Sequence, residues 1–268
     1  MIRGYTAQQV RDAERPHLAA GEPLMQRAAR ALAERILVLL DQRSAQAGHT
    51  SPPRVLLLVG SGDNGGDTLF AGAQVARSGV FAGADLPRAT VVVDALGVGS
   101  RMHEAGLAEA TAAGVRVLDA DAATIDALAG AVARYDVIVD GIIGTGTSTG
   151  SPALRGTARD AVLAIRAGLR DTGNGTGTGT STSTNASDAG RMDVAPIVVA
   201  VDIPSGIDPD TGAVADEAVL PADVTVTFGG VKAGLLLGVG ARLAGTIDLV
   251  EIGIEADLAA MTPVVDLP

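Results

Sequence analysis

The sequence predicts an α/β protein built on a doubly wound, mostly parallel sheet, and three observations support this fold class. Short apolar strands alternate with longer helical stretches from about residue 55 onward. The strand interiors are nearly continuous Val, Leu and Ile, which is typical of parallel strands covered by helices on both faces. Polar, glycine-rich turns follow several of these strands, at the edge of the sheet where such proteins bind ligands.

The elements follow in order along the chain. Residues 6–40 predict two helices, because Thr6 and Gln9 have the spacing of a capping box and Pro23 suits the first turn of a second helix. Apolar runs then predict seven strands, at 55–59, 90–93, 115–118, 137–140, 197–202, 224–228 and 246–250. Helices are predicted between them at 66–79, 104–113, 121–133 and 154–168.

One segment stands apart in composition. Residues 171–190 are nearly all Gly, Thr, Ser, Asn and Asp, and cannot bury enough apolar surface to offset the entropy lost on ordering. We predict a flexible, low-complexity surface insertion between a helix and the next strand. Because that strand completes the same sheet, the prediction is a single domain over residues 1–268.

Composition excludes several classes of function. The chain has no cysteine, which removes disulfides, thiolate metal sites and cysteine nucleophiles. A net charge of −11 and an aromatic content of 2% argue against a nucleic-acid partner, which needs a basic surface or stacking platforms. The first residues, with Arg3, Arg11 and Asp12, contain no uninterrupted apolar block, so we predict neither a signal peptide nor a membrane-spanning helix. A cytoplasmic location is the resulting expectation.

The turn after the first of the seven strands, residues 60–67, reads Gly-Ser-Gly-Asp-Asn-Gly-Gly-Asp. It matches the G-x-G-x-x-G pattern of dinucleotide-binding turns, and Asp94 could supply the acidic ribose partner. However, Asp63 and Asp67 put carboxylates where such a turn receives a pyrophosphate, which they would repel. The turn therefore favours a cation or a ligand rich in hydroxyl and amide groups. The alternative is a structural turn in which Asp67 caps a helix.

Two further turns begin where strands end. Residues 139–150 carry Asp140 followed by Gly and Thr residues, whose amides and hydroxyls can approach a ligand closely. Residues 201–208 carry Asp202 and Ser205 on a rigid Pro-Ser-Gly turn, and such short oxygen-bearing side chains suit a general base or a hard-cation site. Ordinary turn formation is the alternative for both segments.

Lys232, the only lysine of the chain, follows a further glycine turn. It could contact a phosphate or carboxylate of a ligand, and the alternative is a surface lysine beside a turn.

Together these segments resemble the NAD(P)H-hydrate epimerase family, also known as the YjeF N-terminal domain. The order and spacing of the motifs agree from about residue 5 to about residue 254. The motifs are Pro23-Leu24-Met25, Gly62 to Asp67, Val139-Asp140 with Gly144-Thr145-Gly146, Val201 to Gly206, and Thr225 to Phe228 leading to Lys232. The resemblance implies a Rossmann-like three-layer αβα sandwich. It also implies an isomerase that interconverts the R and S forms of hydrated NADH or NADPH (NAD(P)HX) in cofactor repair and supplies the S form to a separate dehydratase.

The resemblance also implies site residues. One potassium ion per subunit would be held by Asn64, Asp140 and Ser205, and Asp202 would be the catalytic acid or base. The residues expected to bind substrate are Asp63, Asn64, Gly65, Gly66, Asp67, Gly144, Thr145, Gly146, Thr147, Ser148, Thr149, Gly150, Asp202 and Lys232. The family's usual Asn-Asn-Gly-Gly-Asp-Gly is Asp-Asn-Gly-Gly-Asp-Thr here, at residues 63–68, and we expect this difference to tune affinity.

Two other functions remain open at this point: a non-catalytic nucleotide- or protein-binding module of the same fold, and an NAD(P)-dependent dehydrogenase. The resemblance further implies a homodimer, while the composition argues against nucleic-acid and membrane partners. It leaves open the preference between the two hydrates, and whether the chain acts alone or within a fusion to the dehydratase.

Overall fold

The fold is built around a seven-stranded sheet in which every strand runs parallel to its neighbours. The computed structural model of the chain describes residues 2–47, 51–81, 88–146, 153–173 and 195–268. The strands are β1 (Ile2–Tyr5), β2 (Arg54–Val59), β3 (Val80–Phe81), β4 (Arg88–Ala89), β5 (Val92–Gly97), β6 (Arg116–Leu118), β7 (Val137–Gly141), β8 (Ile197–Val201), β9 (Val224–Phe228), β10 (Val231–Lys232), β11 (Thr246–Val250) and β12 (Val265–Leu267). The α-helices are α1 (Ala7–Ala19), α2 (Leu24–Ala47), α3 (Asp63–Ser78), α4 (Glu104–Ala112), α5 (Ala122–Ala131), α6 (Gly156–Gly173), α7 (Gly240–Leu243) and α8 (Glu255–Ala259).

The order of the strands creates a crevice at one edge of the sheet. The strands lie in the order β6-β5-β2-β7-β8-β9-β11, so the chain enters at β2 and proceeds to β5 and β6 on one side. It then returns to place β7 on the other side of β2. In doubly wound sheets, ligands bind outside the carboxyl ends of the strands at this reversal. The predicted fold class is confirmed.

Helices cover both faces of the sheet. Along β2, Val55 and Leu57 point into one apolar cluster while Leu56 and Leu58 point into another, and all four are fully buried. The first cluster contains side chains of α2 and α3, among them Leu32, Ile36, Leu69 and Val75. The second contains side chains of α5 and α6, among them Ile125, Leu128, Val162 and Ile165. This double burial explains the nearly continuous apolar strands of the sequence.

A second, three-stranded sheet has no counterpart in the prediction. In it β1 pairs parallel with β10, so that Tyr5 lies beside Lys232, and antiparallel with β12. Directly after β1, the Thr6 hydroxyl accepts a hydrogen bond from the backbone N–H of Gln9, and the side-chain oxygen of Gln9 accepts one from the backbone N–H of Thr6. The capping box is therefore confirmed, and the small sheet fixes where α1 starts.

Several predicted boundaries differ from the structure. Helix α3 begins at Asp63 instead of residue 66, because Gly62 serves as its N-cap and the glycine-rich residues 63–66 are helical. Strand β5 covers 92–97 instead of 90–93, since the buried Asp94 finds partners within the sheet. The predicted start of the insertion at residue 171 is wrong, because residues 171–173 belong to helix α6. The rest of the insertion, 174–190, lies outside the described residues, so its flexibility stays a prediction. Within the described ranges, no helix is both long and apolar enough to span a bilayer.

Candidate active site

A cavity of about 840 Å³ opens at the carboxyl ends of the central strands. Its lining includes most of the predicted substrate residues: Asp63, Asn64, Asp67, Gly144, Thr145, Gly146, Asp202 and Lys232. Gly65 and Gly66 do not line it, and Thr147, Ser148, Thr149 and Gly150 lie outside the described residues. Three turns that are far apart in sequence thus meet around one space. The substrate-binding roles of these residues stay predictions.

Gly65 and Gly66 support the cavity by allowing close packing. A Cβ atom at position 65 would run into the carbonyl group of Gly60, and one at position 66 would press on His103 and Met25. Glycine at these positions therefore lets the first turn of α3 lie directly against the end of β2. The close approach brings Asn64 and Asp67, both buried, to the cavity from the first turns of the helix.

Asp202 and Lys232 form a buried ion pair in the cavity. Asp202 is the one described residue other than glycine with a left-handed backbone, at φ 67°. Its Oδ1 accepts hydrogen bonds from Lys232 Nζ, from Thr227 Oγ1 at 3.2 Å and from the Phe228 amide at 3.3 Å. Lys232 Nζ also donates to the Phe228 carbonyl oxygen at 2.9 Å. The alternative of a surface lysine is wrong, since only 1% of Lys232 is exposed.

Asp67 lies in the same cavity but has a different environment. It is 7% exposed, and its Oδ1 is buried without a hydrogen-bond partner among the described residues. Burial raises the pKa of Asp67 well above its ordinary value, and the carboxylates of Asp202, Asp63 and Glu14 raise it further, while Lys232 lowers it. The alternative of Asp67 as a helix cap is wrong, because α3 begins four residues earlier and its N-cap is Gly62.

Helix α1 contributes three cavity residues that the sequence did not indicate: Arg11, Glu14 and Leu18. Arg11 Nη1 donates a hydrogen bond to the Thr145 carbonyl oxygen at 2.6 Å, and so ties the helix to the loop after β7. Glu14 lines the cavity, and burial raises its pKa while Lys232 lowers it. The capping box predicted the helix itself. Its position over the cavity depends on the pairing of β1 with β10, for which the sequence carries no local signal.

Asp140 and Ser205 are hydrogen-bonded to each other and do not line the cavity themselves, although Ser205 also bonds to Ile143, which does. Asp140 Oδ2 accepts from the Ser205 amide at 2.8 Å, and Oδ1 accepts from the Ser205 hydroxyl at 2.6 Å. The same hydroxyl oxygen accepts from the Ile143 amide at 2.9 Å. Burial raises the pKa of Asp140, and the hydrogen bonds from Ser205 and Ile142 partly offset this.

Asn64 contacts the backbone at the end of β8 and in the loop after β7, the two segments that lead to Ser205 and follow Asp140. Its Nδ2 donates to the Val201 carbonyl oxygen at 2.6 Å, and its side chain packs so tightly on Gly144 that a Cβ atom there would overlap it. No direct hydrogen bond to Asp140 or Ser205 is seen in the described residues. Within the same ranges, no three His, Cys, Asp or Glu side chains are grouped in the manner of a metal site.

Asp94 does not reach the cavity. It is fully buried and accepts hydrogen bonds from Arg116 Nε at 2.8 Å, Arg116 Nη2 at 2.9 Å and Tyr135 Oη at 2.9 Å. Its register partner on β2 is Leu56, near the amino end of that strand. The suggested role as a ribose partner is therefore wrong. The G-x-G-x-x-G turn here lacks the acidic residue that the dinucleotide fingerprint requires.

Comparison with known proteins gives matches over most of the chain. Residues 21–234 match the family described as YjeF-related protein N-terminus. A Clavibacter michiganensis protein named NAD(P)H-hydrate epimerase is 44% identical over 262 residues, which cover 98% of this chain and 94% of that protein. One of the same name from Microbacterium testaceum is 42% identical, with 98% of this chain and 84% of that protein covered.

Two further matches come from a longer protein and a solved structure. The Mycobacterium tuberculosis protein named bifunctional NAD(P)H-hydrate repair enzyme Nnr is 35% identical over 94% of this chain, which corresponds to 41% of that protein. The crystal structure of the yeast protein YNL200c has a TM-score of 0.61 at 16% identity, with 87% of this chain and 83% of that chain covered. At that identity the likeness shows the shared fold.

Proposed function

The chain belongs to the family of YjeF-related protein N-termini, and from this premise we propose that it is an NAD(P)H-hydrate epimerase. It is an isomerase that interconverts the R and S forms of hydrated NADH and NADPH. The observation that carries this function is the placement of Asp202, paired with Lys232, in the cavity formed by the three strand-end turns. A volume of about 840 Å³ lies within the range of small-molecule sites, about 300–1,000 Å³.

Asp202 is the acid or base of the epimerisation. Epimerisation at C6 of the hydrate requires a proton to be given to or taken from the group that leaves and returns. The carboxylate of Asp202 lines the cavity while its Oδ1 is fixed by the donors of Lys232, Thr227 and Phe228. Such fixing orients the carboxyl group for transfer of a proton at the substrate.

A chromatographic assay of the R and S hydrate peaks tests this function. The protein should equilibrate the two peaks faster than the spontaneous reaction, without the absorbance change that a dehydrogenase would cause in the reduced-cofactor band. Asp202→Asn should slow the exchange about 10²–10⁴-fold, because the amide cannot transfer the proton. An Asp202→Asn variant as fast as the parent would remove Asp202 from this role.

We further propose that one potassium ion binds at Asn64, Asp140 and Ser205. These residues offer carboxylate, hydroxyl and amide oxygens, the ligand types that hard cations prefer. Asp140 is 1% exposed and forms no ion pair among the described residues, so a bound cation would favour its ionised form. The ion would supply a fixed positive charge that stabilises the turns after β7 and β8.

A potassium titration tests this cation proposal. Exchange of the hydrates should increase with potassium concentration in the parent protein. Asp140→Ala should require more potassium for the same activity, because the charged ligand is lost. If the titration curve of Asp140→Ala overlays that of the parent, Asp140 is not a ligand.

The remaining expectations concern partners and location. We propose that the S epimer passes to a dehydratase, in keeping with the similarity to the bifunctional repair enzyme Nnr. We propose a homodimer, which light scattering of the purified protein would test. We also propose that the protein acts in the cytoplasm, where the reduced cofactors are used, and fractionation of the cells that express it would test this location.

A further inference from the structure

Asp67 is a carboxyl group of the cavity that the chemistry described so far does not use. Asp67 lines the cavity together with Asp202, yet the two groups differ in their partners. Oδ1 of Asp202 accepts three hydrogen bonds, one of them from a lysine ammonium group. Oδ1 of Asp67 is buried and accepts none from the described residues. Two carboxyl groups with such different environments are suited to opposite roles in proton transfer.

The surroundings of Asp67 favour its neutral form. An ionised carboxylate that is buried without donors loses its hydration without compensation. The charged groups that face Asp67 are the carboxylates of Asp63 on its own helix, Asp202 after β8 and Glu14 on α1, and the ammonium group of Lys232. Lys232 is engaged by Asp202, so the three carboxylates dominate. Burial and these carboxylates raise the pKa of Asp67 in the same direction.

We propose that Asp67 is a second catalytic residue, a carboxylic acid that donates the proton with which the C6 hydroxyl group of the hydrate leaves as water. This role rests on the epimerase function proposed above. The C6–O bond breaks with its electron pair going to oxygen, and the lone pair of N1 forms a C6=N1 double bond. Water then adds to the opposite face of C6 and gives one proton to Asp202. In the return step that proton passes back to Asp67 through water, so the reaction is balanced without a further reactant.

The carboxyl groups of the cavity support loss of water over routes with a neutral intermediate. Loss of water leaves a positive charge shared between C6 and N1. The cavity is lined by the carboxyl groups of Glu14, Asp63, Asp67 and Asp202 and by the cations of Arg11, Arg155 and Lys232. Of these cations, Arg11 binds the Thr145 carbonyl oxygen and Lys232 is paired with Asp202. Asp67 becomes negative when it gives up its proton. Fixed negative groups stabilise such a cation in the transition state. The same groups would not stabilise the neutral aldehyde formed by opening of the ring.

The first test compares two variants of equal charge. Asp67→Asn keeps the size of the side chain but cannot act as a carboxylic acid, so R/S exchange above the spontaneous rate should fall about 10²–10⁴-fold. Asp126→Asn is the matched control, because Asp126 is exposed on α5, outside the cavity. It should exchange the hydrates at the parent rate. Full activity in Asp67→Asn would overturn the proposal.

The pH profile separates catalysis from a structural effect. In the parent, kcat/KM should fall as the pH rises through the raised pKa of Asp67, because the carboxylate has no proton to donate. Asp67→Asn should lose this decline, and Asp67→Glu should restore part of both the rate and the decline. A decline that persists unchanged in Asp67→Asn would overturn the assignment.

Infrared spectroscopy of the parent protein tests the proton directly, even if Asp67→Asn folds poorly. A band from a protonated carboxyl group is expected at neutral pH, and its absence would overturn the proposal. In a folded Asp67→Asn variant this band should be weaker or lost. A band of undiminished intensity there would also contradict the assignment.

Labelled water tests the route. In ¹⁸O-enriched water, the enzyme should introduce label at the C6 hydroxyl group at the rate of epimerisation, beyond the spontaneous background. Epimerisation without label would overturn the loss of water. If the parent protein does not exchange the hydrates at all, the epimerase function itself is wrong. If the parent is active and Asp67→Asn is equally active, only the role of Asp67 is wrong.

Discussion

At the scale of single residues, carboxyl groups in and near the cavity have environments that differ sharply. Asp202 is paired with the buried Lys232, Asp140 is bonded to Ser205, and Asp67 has an oxygen without a donor among the described residues. The sequence predicted that these residue types would meet, because they follow strand ends. Their ionisation could not be predicted, since it depends on burial and on partners from distant segments.

The environment of Asp67 predicts a cost in stability that can be measured. Its pKa is higher in the folded protein than the ordinary value of 3.8, so this group disfavours folding increasingly as pH rises through the raised pKa. Asp67→Asn should therefore melt at a higher temperature than the parent at pH 8. Thermal unfolding at several pH values should show that this advantage shrinks as the pH is lowered towards 3.8. A variant less stable than the parent at pH 8 would contradict this interpretation.

At the scale of elements, the loop after β7 is positioned by contacts from both sides. Arg11 of α1 bonds to Thr145, and Gly144 lies against the Asn64 side chain. The sequence indicated this loop through its Gly and Thr content. The contact with α1 was not predictable, because β1 and β10 are too short to give a recognisable strand pattern. These two strands also lie far apart in the sequence, although they pair with each other in the fold. By contrast, β9 and β11 are long enough to show a recognisable strand pattern, and their predicted bounds agree with the structure.

The packing of Gly144 gives a prediction for this loop. Gly144→Ala adds a Cβ atom where the Asn64 side chain lies, so Asn64 should be displaced from its bond to Val201. We expect the potassium and hydrate concentrations needed for half-maximal exchange to rise about tenfold or more, for a loss of about 1.4 kcal/mol or more. Steady-state titrations of both measure this effect.

Gly130→Ala is the matched control for that change. Gly130 lies on α5, away from the cavity, and nothing lies within 4 Å of an added Cβ atom. Its titrations should equal those of the parent. If Gly144→Ala also behaves as the parent, the tight packing of Asn64 on this loop is unimportant for binding.

At the scale of the whole molecule, the carboxyl ends of the strands form the candidate site, whereas hydrogen bonds nearer the amino ends stabilise the fold. The carboxyl ends of β2, β7 and β8 surround the cavity, while Asp94 binds Arg116 and Tyr135 nearer the amino ends. The alternation of apolar strand segments with helical segments predicted the sheet, and it predicted that the site lies at the carboxyl ends of the strands. The prediction assigned Asp94 to the wrong edge because the predicted strand ended at residue 93, four residues before β5 ends, which put Asp94 just beyond its end.

This separation predicts that stability and activity can be changed independently. Asp94→Asn should lower the free energy of unfolding by about 1.5–3 kcal/mol, since hydrogen bonds to a buried charged group are lost. The exchange rate per folded molecule and the KM for the hydrate should match those of the parent. Urea unfolding and the chromatographic assay measure the two quantities. A changed KM would show that the two ends are coupled.

The burial of Lys232 has a practical consequence for handling this protein. No other side chain of the chain carries a primary amine, and this one is 1% exposed within the fold. Reagents that modify lysine therefore find no accessible side-chain target while the protein stays native. Attachment of such a reagent at position 232 therefore reports that this buried side chain has become exposed, as it does on unfolding.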